Sequence, residues 1–145
     1  MILLTQAEAD ALIVLPKRRE LATPYDLKPN GCRLNIPLIS HDGREEFVLD
    51  IWHRTVELTK ATNQLRGRKV IPLLRLDLGG APHRNPDGAE IRGPHLHRYR
   101  EGYGDRWATP LPADFGSSAD REVLLTEFMR YCCIDPTPHF RYPLW

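Results

Sequence analysis

The stretch Arg33-Leu-Asn-Ile-Pro-Leu-Ile-Ser40, His41-Asp42-Gly43-Arg44, Glu45-Glu-Phe-Val-Leu-Asp-Ile-Trp52 decides the fold class. Two runs rich in branched apolar residues flank an Asp-Gly pair. That pair is the favoured centre of a type I′ hairpin turn, because both residues tolerate positive φ. In the second run Phe47, Leu49 and Ile51 alternate with Glu46, Val48 and Asp50, the period of a strand buried on one side. An antiparallel sheet is expected to begin here.

Upstream, Thr5-Gln-Ala-Glu8 is a capping box and predicts a short helix from Gln6 to Leu15, stopped by Pro16. Ala7, Ala11, Leu12 and Leu15 are its expected apolar face. Residues 16–31, with Pro16, Pro24, Pro29 and Gly31, read as an irregular connector. Downstream, Thr55–Leu65 reads as a strand, Arg66-Gly-Arg-Lys69 as a tight turn, and Val70–Leu78 as a central buried strand with a bulge or edge position near Pro72. Gly79–Gly93 is a long polar loop. His95–Arg100 and Arg106–Leu111 form a last hairpin, and Ser118 caps a helix over Ala119–Cys133. The expected class is α+β: a curved antiparallel sheet of about six strands, with an N-terminal short helix and a C-terminal helix. No helix-length crossover separates the strands, which argues against βαβ units.

One domain over residues 1–145 fits the length. The hydrophobic content of 41% and charged content of 27% exclude wholesale disorder. There is no membrane-length apolar run and no basic, signal-like N-terminus, so a cytoplasmic protein without membrane attachment is expected. Cys32, Cys132 and Cys133 form neither a zinc ribbon nor a disulfide framework. From Arg54 to Arg106 there are eleven Lys/Arg against six Asp/Glu, so the flanks of this chain of net charge +1 carry −4. A basic middle suits an anionic ligand.

The chemistry concentrates in Gly93-Pro-His-Leu-His-Arg-Tyr-Arg-Glu-Gly-Tyr-Gly-Asp105. On a strand His95, His97 and Tyr99 share one face, and Leu96, Arg98 and Arg100 the other. Three readings fit the imidazoles. They are strand histidines bonded to their neighbours, or metal ligands, or acid/base groups. His95-x-His97-x-x-x-Glu101 reproduces the centre of a cupin metal motif, with His83 or Asp77 as further ligands, although Gly88 and Ala108 break its flanks. For metal-free chemistry His95, His97 and Glu101 are the candidate catalytic groups, since an imidazole can move the proton of a ribose 2′-OH. Lys60, Thr62, Gln64 and Arg66 alternate along one strand face. Lys60, Gln64, Arg66, Arg98 and Arg100 are candidate phosphate contacts, and Tyr103 a stacking or orienting group. Trp52 is expected in the core. The loop Pro82-His83-Arg-Asn-Pro-Asp87-Gly88 is a candidate lid, with His83 and Asp87 in support, and Asp77 either orients a histidine, bonds the loop or ends its strand.

The string Arg75-Leu-Asp77, Pro82-His83-Arg-Asn-Pro-Asp-Gly88, Pro94-His-Leu-His-Arg-Tyr-Arg-Glu-Gly-Tyr-Gly-Asp-Arg-Trp-Ala108 resembles a domain-of-unknown-function family of bacteria, prophages and mobile elements, over most of the chain. That setting implies a nucleic-acid or host–phage role. The leading expectation is a small nucleic-acid-acting protein, a metal-independent endoribonuclease of the toxin kind, with RNA as partner and no cofactor. The alternatives are a non-catalytic partner of a host or phage protein, such as an inhibitor or an antitoxin-like protein, and a cupin-like metal protein.

Overall fold

The computed structural model describes residues 3–54, 60–118 and 120–144. The elements run α1 (Gln6–Val14), β1 (Lys17–Arg19), β2 (Tyr25–Asp26), β3 (Cys32–Ser40), β4 (Glu46–His53), β5 (Ala61–Gly67), β6 (Ile71–Leu78), β7 (His83–Arg84), β8 (Glu90–Ile91), β9 (His95–Arg98), β10 (Ala108–Pro110), α2 (Arg121–Tyr131) and β11 (Phe140–Arg141). Seven strands form one antiparallel sheet in the order β1-β3-β4-β5-β6-β9-β10. Two short pairs, β2 with β11 and β7 with β8, lie outside it. The α+β class and the two helices stand as expected. No described helix is long and apolar enough to cross a membrane.

The β3–β4 hairpin forms in the expected place, but not through a type I′ turn. Gly43 alone has positive φ (76°), and the loop closes by the Gly43 N–H donating to Ser40 O. Asp42 Oδ1 then accepts from Ser40 Oγ and the Arg44 N–H, an Asx-type brace. The type I′ φ pattern occurs one hairpin later. Arg68 (φ 51°) and Lys69 (φ 68°) join β5 to β6 without a glycine between them. Gly67 belongs to the strand, where a Cβ would meet Leu73 Cδ1 at 2.7 Å. The irregularity expected near Pro72 is present as a register shift between Leu65 and Arg66.

One face of the sheet carries Ile36, Leu38, Phe47, Leu49, Ile51, Leu65, Leu74, Leu76 and Leu96, all buried. Both helices pack here, α1 through Ala9, Leu12 and Ile13, and α2 through Leu124, Leu125, Phe128 and Met129. Each of these side chains other than Ala9 contributes about 1.5–3 kcal/mol by leaving water. Of the expected face of α1, Leu12 is buried and Leu15 packs against the core, but Ala7 and Ala11 are exposed. Bulkier Leu12 and Ile13 take the core. The capping box at Thr5 and Glu8 is present in full. For α2 the cap is Asp120, whose side chain accepts from Glu122 N and Val123 N; Ser118 supports Asp120 instead. Asp and Ser cap about equally well, and the charge of Asp120 also suits the positive end of the helix. Residues 16–31 are less irregular than expected, since β1 and β2 recruit them by pairing with distant segments. The first part of the expected Thr55–Leu65 strand, residues 55–59, lies outside the described residues, as does Ala119.

Candidate functional site

Among the described residues no helix covers the other sheet face, and strand register arranges it in two transverse rows. One row is Asn35–Asp50–Gln64–Arg75–His97–Ala108, and its neighbour is Arg33–Trp52–Thr62–Asp77–His95–Pro110. Directly opposed residues point to the same side of a sheet. Polar residues at alternate positions of β4, β5, β6 and β9 thus meet side by side. The imidazoles and the β5 polar row share one face, as the sequence requires for a common site.

Asp50 accepts from Arg66 Nε (2.7 Å), Arg66 Nη2 (2.9 Å) and Gln64 Nε2 (3.1 Å). Burial pushes its carboxyl up, but these bonds and one from Asn35 outweigh burial and hold it below its ordinary value. Asp77 is the hub of the second row. It accepts from Thr62 Oγ1 (3.1 Å) and Arg75 Nε (3.2 Å), and its Oδ2 lies 3.5 Å from His95 Nε2 and 3.2 Å from His97 Nε2. Burial again opposes ionisation, yet the bonds to both histidines and the charge of Arg75 hold the Asp77 carboxyl far below the usual carboxylate range. The bond to Asp77 raises the pKa of His95 against the effect of burial. Arg75 also donates to Asp105 Oδ2 at 2.7 Å and to His97 Nε2 at 3.0 Å.

The β7–β8 hairpin closes over this end of the face. Its turn is the Asn85–Gly88 unit expected from the sequence, closed by the Gly88 N–H donating to Asn85 O. Asn85 pairs with the β10 backbone like a strand residue, donating to Ala108 O (2.9 Å) and accepting from Ala108 N (2.8 Å). His83 is thereby placed against the pair, with ring centroids 4.5 Å from His97 and 5.6 Å from His95. Under this flap His95 is 4% exposed and His97 1%.

Beyond the flap the face is open. A groove of about 680 Å³ is lined by residues that include Arg33, Trp52, Gln64, Arg66, Arg75 and Asp77. A second hollow of about 380 Å³ continues it past Thr62 and Asp77 to Lys60, Arg54, His83 and His95. Trp52 is not in the core. It lies on this face, 37% exposed, with the Arg54 guanidinium 4.0 Å and the Arg33 guanidinium 5.0 Å from its ring centroid.

Other candidates lie elsewhere. Glu101 accepts from the Gln6 N–H at 2.7 Å, and its own N–H donates to the Gln6 side chain, so it docks the start of α1. Arg98 reaches Asp10 of α1 at 3.3 Å. Tyr99, expected beside the histidines, turns into the core and bonds Leu4 through its hydroxyl, because regular alternation stops with β9 at Arg98. Arg100 stacks on Trp107 at 4.2 Å, and Tyr103 meets the same ring edge-on. Asp87 braces its own turn by accepting from Ala89 N. The structure therefore joins His83, His95, Asp77, Gln64, Arg66 and Lys60 along the groove and hollow, with His97 buried beside them, and leaves Glu101, Arg98, Arg100, Tyr103 and Asp87 apart. Arg75, Asp50 and Asn85 were not singled out from sequence. The readable signal for Arg75 is that it and Asp77 are the charged, alternate positions in an otherwise apolar strand.

No curated protein and no solved structure matches this chain. A family of unknown function, DUF6978, matches residues 4–134, which hold all seven strands of the sheet and both helices, and the chain belongs to that family.

Proposed function

We propose that this protein binds single-stranded nucleic acid, RNA in the first instance, across the open face of its sheet. The observation that carries this reading is Trp52, half-exposed between two guanidinium groups in a groove of small-ligand dimensions. An aromatic face with adjacent arginines suits base stacking, and the cations suit phosphate. The groove and its continuation hold Arg33, Arg54, Lys60, Arg66 and Arg75 against Asp50 and Asp77, an excess of three positive charges. Gln64 adds a neutral donor and acceptor. The mobile-element setting implied by the motif resemblance agrees with such a ligand.

The same geometry favours binding over metal-free cleavage. A general base needs a ring nitrogen within reach of the substrate proton. His95 has Nδ1 on Gly93 O (2.9 Å) and Nε2 at Asp77, while His97 has Nδ1 on Asp105 O (2.8 Å) and Nε2 on Arg75. Fluorescence anisotropy with a short single-stranded RNA tests the proposal, alongside incubation of the RNA with and without EDTA. Saturable, salt-sensitive binding that is weakened by Trp52→Ala supports it. Absence of binding at low salt overturns it, and cleavage in EDTA would restore the metal-free ribonuclease reading.

A further inference from the structure

We propose that His83, His95, His97 and Asp77 form a site for one divalent transition-metal ion of the zinc class, at the junction of the β7–β8 flap and the sheet. This inference goes beyond the nucleic-acid reading and does not depend on it. One ring nitrogen from each histidine lies within 4.8 Å of the others. Asp77 Oδ2 is 3.2 Å from His97 Nε2 and 3.5 Å from His95 Nε2. Ligand atoms about 2.0–2.1 Å from a tetrahedral zinc ion lie roughly 3.3–3.4 Å from each other, so both separations are already close to those of a filled site.

The hydrogen-bond pattern points the same way. His95 Nδ1 donates to Gly93 O, His97 Nδ1 to Asp105 O, and His83 Nε2 to Arg106 O at 2.9 Å. Each ring thus has one N–H held by a backbone carbonyl, and its other nitrogen is the one available to a metal ion. Outer carbonyls of this kind fix the tautomer of metal-ligating histidines. His97 Nε2 faces both Asp77 Oδ2 at 3.2 Å and Arg75 Nη2, which can only donate, at 3.0 Å. Three imidazoles and one carboxylate suit zinc, cobalt(II), nickel(II) or iron(II), rather than magnesium or calcium.

Arg75 is the built-in competitor. Its guanidinium contacts both His97 Nε2 and Asp77 Oδ2, where the ion would bind, and Asp105 Oδ2, 2.7 Å from Arg75 Nη1, offers it an alternative partner. An ion bound here would tie His83, the flap's contribution, to β6 and β9.

The test uses full-length protein made without a histidine tag and stripped with chelator, titrated calorimetrically with Zn²⁺ and Co²⁺. One ion per chain is expected. Asp77→Asn and His83→Ala should each weaken binding on the order of 100-fold or more, and Arg75→Met should tighten it. The Co²⁺ form of the unaltered chain should show the intense visible absorption of a four-coordinate ion, a readout that holds even where a variant fails to fold. No stoichiometric binding at micromolar metal, a six-coordinate cobalt spectrum, or a folded His83→Ala variant that binds as the parent does would overturn the proposal. Trp52→Ala should leave metal binding unchanged. A chain that binds zinc but no RNA keeps this site and removes the nucleic-acid reading.

Discussion

The ammonium of Lys17 donates to the carbonyl oxygen of Cys132 at 2.9 Å, and through this bond both helices end on one buried charge. The same nitrogen donates to Ile13 O and Leu15 O at the end of α1 and lies 4.8 Å from the Phe47 ring centroid. Burial pulls the Lys17 pKa down to about 8, while its charge suits the negative ends of two helices. Lys17→Met keeps the bulk and leaves three carbonyls without their donor. A loss of about 3 kcal/mol or more is expected in urea unfolding. A variant within 1 kcal/mol (roughly one ordinary hydrogen bond) of the parent would show that the three bonds contribute little.

The Arg68-Lys69 turn holds two side chains in left-handed backbone, which costs L-residues about 1–2 kcal/mol each. Their ion pairs to Glu45 and Glu46, at 3.6 and 3.4 Å, are surface contacts of small value. Replacing the pair by Asn-Gly should stabilise the protein by roughly 1 kcal/mol. A lower denaturation midpoint for this variant would mean the ion pairs outweigh the backbone strain.

His53 is buried at the end of β4, its Nε2 has no hydrogen-bond partner, and burial pushes its pKa down to about 4. Between pH 4 and the unfolded value near 6.5, the unfolded chain binds the extra proton, so stability falls as pH falls through that window. Between pH 7 and 5 the loss attributable to His53 is about 2 kcal/mol. Urea unfolding of the parent and of His53→Leu at both pH values isolates it. Equal pH slopes in the two proteins would sink the assignment.

Asn85 holds the flap to β10 through both backbone groups of Ala108. Asn85→Ala should cost about 1–3 kcal/mol locally by leaving these buried groups unpaired. Hydrogen exchange should quicken across residues 83–97 while β3 and β4 remain protected. Unchanged exchange in the flap would show that His83 alone holds it.

For RNA, Trp52→Ala should weaken binding by about fivefold or more, the value of one stacked base at the low end. Arg33→Ala should weaken it too and flatten its dependence on salt. Equal affinity for the parent and Trp52→Ala would place the ligand elsewhere on the molecule.

Local chemistry made several elements readable from the chain. The Thr5–Glu8 box begins α1, and the alternation of Phe47, Leu49 and Ile51 places the buried face of β4. His83, His95, His97 and Asp77 stood out because their composition has no use in an ordinary core. Cap identity at α2 was less legible, since Ser118 was expected and the backbone places Asp120 there instead. Glu101 shows the limit most clearly. Two residues past Tyr99 it looks like a partner for the histidines, yet the chain turns and sends it to Gln6, 95 positions away in sequence.

The sequence by itself determined strand periodicity, the start of α1 and the chemical character of the 83–105 segment, because these depend on residues a few positions apart. Only the tertiary structure decided that Asp77 faces His95, that Trp52 lies outside the core and that Lys17 lies within it. Those outcomes depend on register between strands distant in sequence, where a shift of one residue would send each side chain to the opposite face.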